Sequence, residues 1–272
     1  MCDVCVMNAV KDRMLSRRAL FRGGAAAGIA GAAAALTGTR ALADGHGSVR
    51  DLTHPYGPDF PTFFGEPGIS MEQVFNFADN GFNLFNLSIN EHTGTHIDAP
   101  LHFSANGDSV DQIPVGNLIV PLCVVDIREK AAADPDAQVT PEDLEAWISD
   151  NGDIPDRACV AMMSGWAEKV DTPAFRGADD AGTLHFPGFH PDAAAMLLET
   201  TSAAAIAVDT LSLDHGPSAD FATHYAWLPA GRYGIECLAG LADVPAAGAT
   251  MVVGAPTHKG GSGGPARIFA MV

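Results

Sequence analysis

The chain has 272 residues, of which 47% are hydrophobic and 18% charged, and its formal net charge is −18 at pH 7. That apolar share supplies one sizeable buried core and excludes an intrinsically disordered chain. The acidity argues against partners that demand basic patches, nucleic acid and anionic membrane surfaces among them.

In chain order, a targeting segment comes first. Ser16, Arg17, Arg18, Ala19, Leu20, Phe21 and Arg22 precede a run of small apolar residues at 23–36, and Ala41, Leu42 and Ala43 form a small-residue cleavage pattern before Asp44. This reads as a twin-arginine export signal. The run is short and its side chains are small, below the ~20 apolar residues that a membrane span needs. The expectation is a signal at 1–43 and one working domain at 44–272, exported or periplasmic, with no membrane association after cleavage. Cys2 and Cys5 leave with the signal. Cys123, Cys159 and Cys237 cannot all pair within one chain, and the first two lie in apolar runs where a thiol behaves as a small hydrophobe, so no disulfide framework is expected.

Residues 51–68 are rich in Pro, Gly and Phe, a composition that fixes turns while presenting aromatic faces. Phe60, Phe63 and Phe64 in this segment either wall a substrate pocket or pack as an arm across the body. Residues 82–90 read as a strand leading into a cluster of histidines, and the Val- and Ile-rich run 118–127 reads as a strand buried on both faces. Thr140 caps a helix with Pro141 at its first position and Asp143 three residues after the cap. A strand at 157–163, a helix at 191–200 and strands at 203–208, 249–255 and 267–272 follow. Strands alternating with helices indicate a single-domain α/β fold. His185 and His190 bracket a turn-like segment and either line the pocket or cap the helix after it.

The densest chemistry lies at 92–102, where three imidazoles and a carboxylate occupy eleven residues interrupted by a glycine and a proline that forbid an ordinary helix. Neutral imidazole nitrogens and carboxylate oxygens suit Zn²⁺ or Mn²⁺, and a catalytic site leaves coordination positions for water. His92, His96, Asp98 and His102 share parity, so a locally extended chain presents them on one side. The spacing His, x, Gly, Thr, His, x, Asp, x, Pro, x, His resembles the signature of the cyclase family of metal-dependent hydrolases, which includes bacterial kynurenine formamidases and isatin hydrolases. Every fixed position matches. Segments 209–214 (DTLSLD) and 260–267 (GGSGGPAR) also look like that family, so the resemblance extends from about residue 51 to the C-terminus.

The resemblance implies that His92, His96 and Asp98 bind metal and that His102 is the proton donor and acceptor. It further implies a two-metal site completed by His224 and Glu236, which stand twelve residues apart. Relatives similar to isatin hydrolases carry an amide in place of Glu236 and hold one Mn²⁺, so one or two ions of Zn²⁺ or Mn²⁺ per subunit are expected. Asp209, Ser212 and Asp214 lie at a strand end suited to supporting the ligands or bonding substrate. The implied fold is a swivelling β/β/α architecture with a barrel-like mixed sheet, and the implied assembly is a homo-oligomer.

A metal that lowers the pKa of water from about 16 toward 7, beside a histidine able to protonate a leaving nitrogen, suits hydrolysis of a carbonyl C–N bond. Kynurenine formamidases usually carry a tryptophan in the N-terminal Pro-rich loop. Here the tryptophans are Trp147, Trp166 and Trp227, which leaves Phe60, Phe63 and Phe64 as the candidate stacking faces. The reading is an exported hydrolase of a small aromatic amide, either an isatin-like lactam or an aryl formamide of the N-formylkynurenine type. The alternatives are a lactone hydrolase or cyclase acting on another acyl substrate, and a non-catalytic exported metal-binding protein, against which the proton-shuttling His102 argues.

Overall fold

Long apolar runs become the centre of the main sheet. The computed structural model describes residues 48–272, so the expected export signal and its cleavage point lie outside the described residues. The strands are β1 (Val49–Asp51), β2 (Ile69–Phe75), β3 (Leu84–Ile89), β4 (His96–Asp98), β5 (Ile119–Asp126), β6 (Gln138–Val139) and β7 (Cys159–Met163). They continue as β8 (Gly188–Phe189), β9 (Ala205–Val208), β10 (Tyr233–Glu236), β11 (Ala249–Gly254), β12 (Gly263–Pro265) and β13 (Arg267–Met271). The helices are α1 (Phe77–Asn80), α2 (Arg128–Ala133), α3 (Pro141–Asn151), α4 (Pro191–Thr200) and α5 (Ala222–Trp227).

Nine strands form one sheet in the order β1-β13-β11-β5-β7-β9-β10-β4-β12. The pairs β5–β7, β7–β9 and β9–β10 are parallel and the flanking pairs antiparallel. This mixed sheet curls into a half-barrel, in keeping with the β/β/α architecture that the family resemblance implies. Alternation along β5 explains its continuous hydrophobicity. Leu122 and Val124 enter the core inside the curl, while Cys123 and Val125 enter a second core under the helices. Leu144 and Trp147 of α3, Leu197 of α4 and Trp227 of α5 fill that second core. Asp143 accepts hydrogen bonds from the Thr140 N–H at 2.7 Å and its hydroxyl at 3.1 Å, which closes the N-terminus of α3. Cys123 and Cys159 are buried and unpaired on adjacent strands, and burial pushes the Cys123 thiol up to about 12.

Two features depart from the sequence reading. The strand expected at 82–90 exists as β3, but all six of its residues are exposed, and it pairs only with β2 in a hairpin outside the main sheet. Alternating asparagine and serine with apolar residues gives it strand periodicity without a buried face. Between the last two expected strands lies β12, whose glycines carry no hydrophobic pattern. Among the described residues no helix is long and apolar enough to cross a membrane.

Phe189 is fully buried in the second core, and its carbonyl accepts from the Thr223 hydroxyl at 2.7 Å. Phe189→Ala is expected to lower unfolding free energy by about 3–5 kcal/mol. Urea denaturation checks this; a loss under ~1 kcal/mol would contradict the packing described.

Candidate metal centre

The alternation of β4 sends Ile97 into the core and turns His96 and Asp98 to the other face. The β10 register sets Glu236 opposite His96 and Gly234 opposite Asp98, so no side chain crowds the aspartate from that strand. His92 arrives through a turn in which Gly94 has φ +66°, where a Cβ would press on the Tyr56 ring. His102 lies on a 3₁₀ turn that begins at Pro100. The extended geometry expected for all four residues therefore holds only at His96 and Asp98, and the other two reach the same place through turns. His224 comes from α5. Phe221 before it and Cys237 after Glu236 hold left-handed backbone at φ +51° and +55°, strain on the order of 1–3 kcal/mol each that aims their neighbours inward.

The polar atoms converge with little hydrogen bonding among them. His92 Nδ1 is 2.7 Å from Asp98 Oδ1, and His96 Nε2 is 3.5 Å from the same oxygen. His96 Nε2 lies 3.2 Å from Glu236 Oε2, whereas His224 Nε2 lies 3.2 Å from Glu236 Oε1 and 3.6 Å from Asp98 Oδ2. Each carboxylate thus turns one oxygen toward His96 and the other toward His224. Asp98 is completely buried, and both its Oδ2 and His96 Nε2 lack a hydrogen-bond partner. Orphaned buried polar atoms are costly, and a cation between them removes the cost. Two overlapping triads have ligand atoms within 4.8 Å, His92/His96/Asp98 and Asp98/His102/His224. The donor set fits a divalent cation.

Neighbouring contacts set the orientation of the rings. His96 Nδ1 bonds the Gly94 carbonyl at 2.8 Å, and His224 Nδ1 bonds Asp214 Oδ2 at 2.6 Å, so both Nε2 atoms face the cluster. Asp214 is itself held by the backbone N–H groups of Thr223 and His224, and Glu236 Oε1 accepts from Leu213 N at 3.0 Å. Burial opposes charge on His96 and His224. Cys237, Glu236 and Asp98 nevertheless hold the first well above its ordinary value, as Asp214, Asp98 and Glu236 hold the second. The potential at these nitrogens favours positive charge. At His102, burial dominates and pushes the imidazole down to about 4, so the ring that stacks on His92 at 3.8 Å between centroids is neutral at pH 7.

A cavity of about 360 Å³ opens onto the cluster, within the ~300–1,000 Å³ typical of small-molecule sites. Phe60, Phe63, Phe64, Phe103 and Phe221 line it, with the Phe63 and Phe221 rings 5.8 Å apart between centroids. Ser212 also lines it, with a buried hydroxyl lacking a partner. Asp209 accepts from Ser164 N, Ser164 Oγ and Trp166 N. His190 caps α4 by accepting from Asp192 N at 3.2 Å, and His185 pairs with Asp136 at 2.8 Å, so neither histidine lines the cavity. Sequence reasoning passed over Phe103 and Phe221. Adjacency to His102 marks the first, and no sequence signal marks the second, whose placement depends on its left-handed backbone.

The curled sheet and its histidine–carboxylate cluster define a metal-dependent hydrolase. The family model "Putative cyclase" matches residues 50–215, and the chain belongs to the cyclase family. It is 31% identical over 260 residues to an isatin hydrolase of Roseibium aggregatum, covering 89% of this chain and 98% of that one. It is 28% identical over 170 residues to a kynurenine formamidase of Salinibacter ruber, covering 62% of this chain and 71% of the other. The solved structure of isatin hydrolase A from Labrenzia aggregata, bound to benzyl benzoate, superposes with a TM-score of 0.78 at 35% identity, covering 85% of this chain and 96% of that one.

Asp214→Asn replaces the acceptor that orients His224 with a group that is half donor. Divalent-cation affinity, measured by calorimetry, is expected to fall about 10- to 100-fold. Unchanged affinity would show that the contact to Asp214 does not orient a ligand.

Proposed function

We propose that the chain hydrolyses the C–N bond of a small aromatic lactam of the isatin type, with His92, His96 and Asp98 holding one divalent cation, Zn²⁺ or Mn²⁺. His224 and Glu236 hold a second. The observation that carries this reading is the pair of buried carboxylates, each offering one oxygen toward His96 and one toward His224. A cation bound there supplies Lewis acidity to a carbonyl oxygen and makes water acidic enough to attack near neutral pH.

The remaining work falls to the chain's own side chains. His102, neutral and beside the cluster, accepts a proton from the attacking water and returns it to the leaving nitrogen, which departs poorly as an anion. Phe60, Phe63, Phe103 and Phe221, with the exposed Phe64, offer apolar faces to a flat ring.

The wall also favours one substrate over another. Among the described residues, no lysine or arginine lines the cavity, whereas Glu66 and Glu236 do. A neutral lactam needs no ionic partner here, whereas N-formylkynurenine brings an α-carboxylate that no lysine or arginine of the wall meets, alongside an α-ammonium for which Glu66 is available. The isatin hydrolase relatives support the same preference. The arginine pair and the small-residue run of 1–43 support export, with residues 44–272 as the working enzyme.

Ultraviolet-monitored hydrolysis by protein loaded with Mn²⁺ or Zn²⁺ tests the proposal. Isatin should turn over with a higher kcat/KM than N-formylkynurenine. His102→Ala should lose about 10²- to 10⁴-fold in kcat while binding cation as the parent does. Undiminished turnover in His102→Ala removes its assigned role, and absence of turnover on isatin in a fully metallated protein overturns the substrate class.

A further inference from the structure

The glycine-rich segment 260–264, GGSGG, touches the cluster at one side chain. Ser262 directly precedes the edge strand β12, whose register sets Gly263 against Asp98. Its carbonyl accepts from Ala99 N at 2.8 Å, which ties the segment to the histidine motif. Its hydroxyl lies 2.5 Å from Glu91 Oε2 and 3.1 Å from His92 Nε2. The Ser262 N–H also donates to Glu91, at 3.1 Å, and Glu91 Oε1 meets His258 Nε2 at 2.7 Å.

Proton counting orders these contacts. Both Glu91 oxygens take contacts, from the Ser262 N–H, the Ser262 hydroxyl and His258 Nε2, and a carboxylate only accepts. The single hydroxyl proton of Ser262 is therefore committed to Glu91. What remains toward His92 is a lone pair, and His92 must donate from Nε2. The nitrogen left to take a cation in place of a proton is then Nδ1, which faces Asp98 Oδ1 at 2.7 Å.

We propose that Glu91 and Ser262 are positioning residues that fix His92 in the Nε2-protonated tautomer and thereby present Nδ1 to a divalent cation. The segment's composition follows from this role. A Cβ at Gly261 would collide with the His258 ring and Glu91 Oε1, and one at Gly263 with the Ile97 carbonyl and the His92 ring. Glycine on both sides lets the one hydroxyl approach. The relay rests on the proposed ligand role of His92, and its failure is separable from failure of that role.

The test uses the full-length chain stripped by chelator and titrated with Mn²⁺, comparing wild type with Ser262→Ala, Ser262→Thr, Glu91→Gln and His92→Ala. Ser262→Ala and Glu91→Gln should weaken Mn²⁺ binding about 10- to 100-fold, and Ser262→Thr, which keeps the hydroxyl, should restore it. Glu91 is partly exposed, so Glu91→Gln carries the test where Ser262→Ala folds poorly. Imidazole ¹H–¹⁵N spectra of the Zn²⁺-loaded wild type should show His92 protonated at Nε2. Loss of affinity in His92→Ala alone, or a proton on His92 Nδ1, overturns the relay and leaves the ligand set standing. Wild-type affinity in Ser262→Ala, Glu91→Gln and His92→Ala together overturns both.

Discussion

Asp98 has no solvent exposure, one of its oxygens has no hydrogen-bond partner, and the buried carboxylate of Glu236 lies on the next strand. An ionised carboxylate removed from water costs several kcal/mol unless positive charge compensates it. Burial works against the charge on Asp98, yet His224 and His92 hold its carboxyl well below the usual range. Much of the surrounding architecture serves to assemble that compensation. Strand β4 lies between β10 and β12, so one neighbour brings Glu236 opposite His96 and the other begins beside Asp98 with Gly263. Helix α5 supplies His224, pinned from behind by Asp214.

The sheet supplies rigidity and the loops supply chemistry. Only His96, Asp98 and Glu236 of the candidate ligands lie on strands. His92 and His102 depend on a left-handed glycine and a proline-started turn, and Phe221 and Cys237 hold strained backbone at the cavity. Such strain persists only where surrounding packing over-determines it, and Cys237 is buried in the cluster that also holds Phe60 and Phe175. A third cluster, with Phe60, Trp166, Phe175 and Phe186, anchors the Pro-rich segment, so Phe63 and Phe64 reach the cavity from a fixed base.

Elements with strong periodicity or capping were legible in the sequence. Thr140 with Pro141 and Asp143 marked the start of α3, and the Val/Ile run marked β5, because local chemistry determines both. The histidine motif was legible because its residue types are rare together. The pairing of β4 and β12 was not, since each is three residues long, β12 is mostly glycine, and both exist through pairing with distant partners. The contacts of Asp209 with Ser164 and Trp166 likewise depend on a chain crossing that no local pattern encodes. Glu91 and Ser262 stand 171 residues apart, and only the fold brings them together.

The most direct measurement is a calorimetric titration of the stripped full-length chain with Mn²⁺ and with Zn²⁺, in parallel with Asp98→Ala. The account predicts saturable binding of one or two ions per chain with a rise in melting temperature, and neither in Asp98→Ala. Equal binding and equal thermal stabilisation in Asp98→Ala would contradict it.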